Sequence, residues 1–305
     1  MEKVSKSFFL TLSKSTLLNK AAKRWGMSFG AAKVVGGNTF PNAVSTIREL
    51  NEQGLDVTVD HLGEFVTSKE EAIARTEECV ETVQMIAREK LDSQVSVKLT
   101  SLGLDLDQQL VTNNMHKILS EAERCGVFVT IDMEDESRCQ ATLDLFKELK
   151  ERYDNVGTVI QSYLYRTSDD IDDLNKYNPN LRLVKGAYKE SPKVAFEEKK
   201  DVDENLKKII KKHMLNGNYT AVASHDDAII NFTKELVKQH DIPKSQFEFQ
   251  MLYGMRTQTQ LALVKEGYKM RVYVPYGNDW YGYFMRRLAE RPANVAFVLK
   301  GMLKQ

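Results

Sequence analysis

Cysteine is scarce in this chain and poorly placed for pairing. Cys79, Cys125 and Cys139 are odd in number and form no CxxC. That argues against a disulfide framework or a structural zinc centre and points to a reducing compartment. No apolar run approaches the roughly 20 residues that span a bilayer. Neither sign of charge is in excess, with 43 basic and 43 acidic residues, so nothing argues for nucleic acid or for wholesale attraction to an acidic membrane. The start carries a short apolar patch, Phe8-Phe9-Leu10, but no signal-peptide cleavage pattern. There is no GxGxxG after the first strand and no GxxxxGK[ST], and Ser224 stands in no GxSxG context. A Rossmann crevice, a P-loop and a nucleophile elbow are therefore disfavoured. A dinucleotide held across the mouth of a barrel stays open. His61 and His225 lack a third ligand at a metal-specific spacing, and no metal site is expected. No low-complexity linker divides the 305 residues, so a second catalytic domain is not expected.

What is present is an alternation. Eight short β-branched runs recur at 55–60, 95–100, 127–132, 156–162, 181–185, 220–224, 247–250 and 269–274. Several are almost continuously apolar, as strands buried on both faces should be. Segments of helical period lie between them, at 68–91, 107–125, 137–153, 167–177, 193–215, 226–239 and 256–266. The first opens with Ser68 and Glu71 at capping-box spacing. A strand–helix repeat of about 30 residues implies parallel strands and right-handed crossovers, and eight units favour a closed (β/α)8 barrel over an open sheet. Residues 1–52 read as an amino-terminal helical arm, from Ala/Gly-rich 21–37 and helical 40–51. Residues 53–305 read as the barrel.

In such a barrel chemistry sits where strands end. The strand ends offer Lys98, then Asp132 and Glu134, then Gln161 and Tyr163. They continue with Arg182 and Lys185, Ser224 and His225, Glu248 and Gln250, and Tyr273. Any one of these could be structural, but convergence on one end of the barrel is harder to explain that way. Lys98 reads as a lysine snorkelling from the mouth, as a cation for a substrate anion, or as a partner of Asp132. Asp132 could cap a helix, but Asp135 and Ser137 are better placed to do so. Arg182-Leu-Val-Lys-Gly combines two cations with a glycine that lets backbone approach a ligand closely. The two cations could equally pair with strand carboxylates. His225 suits a hydrogen bond to a cofactor or a plain cap.

Beyond the eighth strand, Arg286 and Arg287 sit side by side among Trp280, Tyr281, Tyr283, Phe284, Met285 and Leu288. Arg286 could form an i,i+4 pair with Glu290, which contributes only a few tenths of a kcal/mol on a surface. That does not account for Arg287 in so aromatic a setting. Guanidinium is costly to bury without an anion, and two together suit a carboxylate. The carboxylate of a small amino acid is the natural reading.

Ordered motifs now accumulate: Val95-Ser-Val-Lys-Leu, Ile131-Asp, Val159-Ile-Gln-Ser-Tyr, Arg182-Leu-Val-Lys-Gly-Ala-Tyr, Ser224-His, Phe247-Glu-Phe-Gln-Met-Leu-Tyr-Gly-Met, and Arg271-Val-Tyr-Val-Pro-Tyr-Gly with Arg286-Arg-Leu-Ala-Glu. From about Leu55 to Val298 the chain resembles the proline dehydrogenases. Its size matches their short single-function bacterial branch. The long bifunctional proteins add an aldehyde dehydrogenase.

The resemblance implies a distorted (β/α)8 barrel with the eighth helix over the mouth, and FAD-dependent oxidation of L-proline to Δ1-pyrroline-5-carboxylate. It implies that Arg286, Arg287 and Lys98 hold the substrate carboxylate, and that Tyr273 and Leu252 pack on the ring. Arg182 would stand beside the flavin's redox nitrogen, with Asp132 organising Lys98. Met133, Gln161, Val184, Lys185, Gly186, Ala187, Ser224 and His225 would line FAD. Lys189 departs from bifunctional members, which carry an aromatic there. Electrons would pass to a membrane quinone, so a cytoplasmic protein with transient peripheral contact at the inner face of the cell membrane is implied. Phe8-Phe9-Leu10 reads as part of the packed arm rather than the membrane contact. Two rivals stay open on the residues alone: a Schiff-base or metal-dependent barrel lyase using Lys98 or Lys185, and a non-catalytic amino-acid-binding barrel.

Overall fold

The computed structural model describes residues 34–281, 283 and 284. Arg286, Arg287, and residues 1–33 of the expected arm lie outside this range, as does the course of the chain beyond Phe284.

Eight parallel strands close into a barrel in sequence order. They are β1 (Asp56–His61), β2 (Ser93–Val97), β3 (Val129–Ile131), β4 (Val156–Gln161), β5 (Leu181–Val184), β6 (Thr220–Ala223), β7 (Phe247–Leu252) and β8 (Met270–Tyr276). β8 returns to β1 in parallel, with Val272 opposite Val57 and Val274 opposite Val59. Helices follow the first seven strands: α2 (Lys69–Arg88), α3 (Gln108–Cys125), α4 (Glu136–Lys150), α5 (Thr167–Leu174), α6 (Lys199–Leu215), α7 (Asp227–Gln239) and α8 (Thr257–Lys265). A further helix begins at Trp280, after β8. Every residue of β4 is buried, as expected of a strand covered on both faces. α3 shows the complementary pattern, burying Val111, Met115, Ile118, Leu119 and Ala122 at three- and four-residue spacing.

The ends of these elements differ from the sequence expectation for identifiable reasons. Ser68 does cap α2, accepting from Glu71 N at 3.1 Å, but the Glu71 carboxylate returns to Thr67 N at 3.2 Å, one residue early. β2 stops at Val97, and Leu99–Leu102 forms a 3-10 turn. Thr100 N is drawn to the Glu134 side chain, so it cannot continue a ladder. α6 begins at Lys199 rather than 193. The preceding segment is occupied with the β4 loop instead, through Phe196 N to Tyr163 O at 2.8 Å and Tyr165 N to Val194 O at 3.0 Å. Asp135 does not cap α4 with its side chain. Glu190 accepts from Glu136 N at 3.0 Å in its place.

Before β1, residues 34–39 are not helical. They run beside β8, with Gly36 N donating to Pro275 O at 2.8 Å and Gly277 N donating to Gly37 O at 2.9 Å. Helix α1 (Phe40–Glu52) follows and buries Phe40, Ala43, Ile47 and Leu50. Deep in the barrel Arg271 meets Glu248 at 2.7 and 3.0 Å and Asp56 at 3.0 Å. That buried ion pair occupies the interior below the mouth.

Candidate active site

Alternation along β1, β2, β3, β5 and β8 turns Asp60, Ser96, Asp132, Arg182 and Tyr273 to the inside of the barrel. Lys98 follows immediately after β2, still extended at φ −108° and ψ 126°. These side chains form one continuous network. Lys98 Nζ donates to Asp60 Oδ1 at 2.8 Å and to Asp132 Oδ2 at 3.4 Å. Arg182 Nη1 donates to Asp132 Oδ1 at 2.7 Å, and its Nη2 donates to Ser96 Oγ at 3.1 Å. The Tyr273 hydroxyl donates to Asp132 Oδ2 at 2.7 Å, and its ring lies 5.3 Å from the Arg182 guanidinium carbon. Asp132 thus accepts from three donors brought by three strands.

Its electrostatics follow from that crowding. Burial would raise the Asp132 carboxyl, but the charges of Lys98 and Arg182 outweigh it and hold Asp132 below its usual range. Asp60 is also buried, and Lys98 alone does not fully offset the desolvation, so Asp60 lies above its usual range. A first proton entering this cluster therefore belongs on Asp60. Lys98 remains an ammonium: burial disfavours its charge, but Asp60 and its neighbours raise its pKa well above the ordinary value. Burial and the two carboxylates push the Tyr273 phenol upward, so it stays a donor.

The network forms one wall of a cavity of about 710 Å³, within the range of small-molecule and cofactor sites. The cavity brings together Lys98, Asp132, Met133, Gln161, Arg182, Val184, Lys185, Gly186, Ala187, Ser224, His225, Gln250, Leu252 and Tyr273. Every candidate site residue that the structure describes is among them. Glu134, Tyr163 and Glu248, also read as strand-end groups, do not line it. Glu248 is turned toward Arg271, and Gln250 Nε2 bridges the two levels by donating to Glu248 Oε1 at 2.6 Å. Sequence reading passed over Asp60, Glu64, Asp226, Arg256 and Tyr283, which do line the cavity. Asp60 was findable: it stands at the mouth end of β1, one residue before the last, as Asp132 follows β3, in the run Val57-Thr-Val-Asp60.

Several cavity residues are already engaged. Lys185 pairs with Asp203 at 2.5 Å and Asp226 at 2.8 Å. Ser224 Oγ accepts from Asp226 N at 3.2 Å. His225 Nε2 accepts from Leu252 N at 3.0 Å, which places any proton of the neutral ring on Nδ1. Two features instead invite a ligand. Arg182 Nε is buried and has no hydrogen-bond partner among the described residues. Gly186, at φ +118°, brings its backbone into the cavity wall at a place where a Cβ would fall 2.3 Å from the Tyr163 ring, so only glycine fits there.

A family model described as proline dehydrogenase matches residues 43–300. The chain belongs to the proline dehydrogenase family. It is 65% identical over 302 residues to proline dehydrogenase 2 of Bacillus subtilis, covering 99% of this chain and 100% of that one. It is 41% identical over 287 residues to the proline dehydrogenase of Deinococcus radiodurans, covering 92% of each. Among solved structures, proline utilization A from Bdellovibrio bacteriovorus, inactivated by N-propargylglycine, superposes with a TM-score of 0.79 at 28% identity. The match covers 85% of this chain but 32% of that one. The chain thus matches about a third of that protein's length, but nearly the whole of the Bacillus and Deinococcus proteins. The family's barrel is the closed eight-stranded one described above.

Proposed function

We propose that this protein oxidises L-proline to Δ1-pyrroline-5-carboxylate using FAD, as the first step of proline breakdown, with a membrane quinone as electron acceptor. The observation that carries the reading is Arg182. It is a buried guanidinium, anchored at both Nη atoms, whose Nε lacks a partner at the cavity wall. A cofactor bearing an acceptor nitrogen or oxygen would meet that donor, and fixed positive charge there suits a ring that becomes electron-rich. Gly186 and Ala187 bring backbone into the same cavity wall, and Lys185 and Arg256 border it, each held by carboxylate partners that also line or flank the cavity. The residues therefore fit FAD.

When bound, the flavin would supply the two-electron acceptor that no side chain provides. The chain's own residues supply binding and orientation. Lys98, with Arg286 and Arg287, would hold the proline carboxylate through charge-assisted hydrogen bonds. Tyr273 and Leu252 would pack on the pyrrolidine ring. Asp132 keeps Lys98, Arg182 and Tyr273 in register. Met133, Gln161, Val184, Lys185, Gly186, Ala187, Ser224 and His225 would line the cofactor. Residues 1–52 would form the arm and 53–305 the catalytic barrel. No helix among the described residues is long and apolar enough to cross a membrane. On the proposed reading, contact with a membrane quinone would be peripheral and transient, on a cytoplasmic protein.

A Schiff-base lyase would need an amine of depressed pKa. Lys98 has the opposite, and Lys185 is clasped between two carboxylates. The deciding experiment is optical. The purified protein should be yellow, and its flavin absorbance should bleach when L-proline is added without oxygen. A colourless protein, trapped on a carbonyl substrate by borohydride, would overturn the reading.

A further inference from the structure

Glu134 is a fully buried carboxylate that the proposed chemistry does not use. It is 1% exposed and lies outside the cavity wall. Both of its oxygens are spent on one residue: Oε1 accepts from Thr100 N at 3.0 Å and Oε2 accepts from Thr100 Oγ1 at 2.5 Å. Thr100 in turn carries the loop after β1. Its Oγ1 accepts from Phe65 N at 3.3 Å and its carbonyl accepts from Val66 N at 3.3 Å. On the other side, Gln161 Nε2 donates to the Glu134 carbonyl at 2.8 Å. The Glu134 side chain thus ties the mouth ends of β1 and β2 to β3, and its backbone carbonyl adds β4. Lys98 and Asp132 each stand two residues before a member of the tie, and Glu64, which lines the cavity, immediately precedes Phe65. Phe65 itself is held at φ +58°, a conformation rare for a bulky residue and kept only where surrounding contacts impose it.

We propose that Glu134 is a positioning residue: its carboxylate clasps Thr100 and thereby holds the Glu64-Phe65-Val66 segment and Lys98 in the arrangement that receives the substrate. The inference rests on the proline reading only for its kinetic arm. The clasp itself depends on charge. An ionised Glu134 accepts both Thr100 donors, whereas one protonated on Oε2 must reverse that bond and donate to Thr100 Oγ1, which leaves the Thr100 hydroxyl hydrogen without its carboxylate acceptor. Burial pushes the carboxyl up to about 7, against the Thr100 bonds and Lys98, which lower it, and with Glu64, which raises it. Arg138 on α4 also feels its charge. A raised carboxyl pKa means that the folded chain keeps a proton the unfolded chain releases near 4.5. Its contribution to stability is therefore full below that value and is lost as pH rises through about 7. Ionised Glu134 works against stability above that point, so a purely structural role does not account for it.

The test compares the native holoenzyme with Glu134→Gln, Thr100→Val and Thr100→Ser. Glu134→Gln imitates the protonated state, so it should unfold at pH 8 no more readily than the native enzyme. Amide exchange across residues 62–68, measured at matched pH, should be about tenfold faster in Glu134→Gln and Thr100→Val than in the native enzyme at pH 8, the size expected for one lost charged hydrogen bond. The Glu134→Gln difference should vanish at pH 6, the Thr100→Val difference should persist there because that variant also removes the acceptor of Phe65 N, and Thr100→Ser should behave as native. In the kinetic arm, the native KM for proline should rise about tenfold between pH 8 and pH 6, and Glu134→Gln should hold the higher value throughout with kcat little changed. Exchange indistinguishable from native at pH 8, or KM and kcat falling together with stability at every pH, overturns the proposal. If proline oxidation is absent but the exchange difference stands, the functional reading has failed and the clasp has not.

Discussion

Tyr273 and Asp132, 141 positions apart in the chain, share a hydrogen bond of 2.7 Å at the mouth of the barrel. The phenol stays protonated because burial and the nearby carboxylates oppose its ionisation, so it serves as a fixed donor to a carboxylate that Lys98 and Arg182 keep charged. Tyr273→Phe removes that donor and keeps the ring. A hydrogen bond to a charged group is worth about 1.5–3 kcal/mol, so kcat/KM for proline should fall by one to two orders of magnitude. Discrimination between proline and hydroxyproline should change as well. Unchanged selectivity in side-by-side assays would count against placing Tyr273 on the substrate ring.

Asp60→Asn tests what keeps Lys98 charged. Asp60 is the nearest anion to this buried amine, and it opposes the burial that pulls the Lys98 pKa down. The native KM for proline should stay level from pH 8 to about pH 9, below the ordinary lysine range. In Asp60→Asn the KM should climb within that window as Lys98 loses its proton. A level profile in the variant would show that Asp132 alone suffices.

Arg286→Ala and Arg287→Ala should each raise the proline KM by orders of magnitude with a smaller effect on kcat. Removing one partner of a desolvated charged pair costs about 2–5 kcal/mol. Steady-state kinetics at saturating acceptor decide it, and a native KM in either variant would remove that arginine from the carboxylate site.

Gly186→Ala should fold but lose cofactor. The added methyl meets the Tyr163 ring at 2.3 Å in a backbone conformation that disfavours side chains, so the cavity wall must shift. The ratio of flavin to protein absorbance after purification should drop, with the far-ultraviolet circular dichroism retained. Full flavin content would show that this backbone is not part of the cradle.

Arg271→Met addresses stability alone. It strands Glu248, which is 2% exposed, without its main counter-ion. Breaking a buried pair from one side costs about 3–5 kcal/mol. The double variant Arg271→Met, Glu248→Gln should recover part of that loss in urea unfolding. Additive losses would mean the pair is not coupled.

Much of the fold was legible before any coordinate. Eight apolar runs at regular intervals dictate parallel strands with helical crossovers, because strands buried on both faces require that composition and that spacing. The ends were less legible. β2 yields to a 3-10 turn because Thr100 is claimed by Glu134, and α6 starts late because residues before it pair with the β4 loop. Neither partner is near in sequence, so no local pattern signals it.

The same division runs through the site. Lys98, Asp132, Arg182 and Tyr273 could be picked out one by one, since each is a polar group within or just beyond an apolar strand. Glu248 looked equivalent, yet Arg271 holds it deep in the barrel, away from the mouth. Asp60 went unnoticed, although it is the anion nearest Lys98. Residue type, period and order along the chain determined the barrel and the stock of charged groups at its strand ends. Which charge meets which was decided only by closing the barrel, because strand stagger sets the depth at which each side chain enters, and at these distances a few ångströms separate a site residue from a structural ion pair.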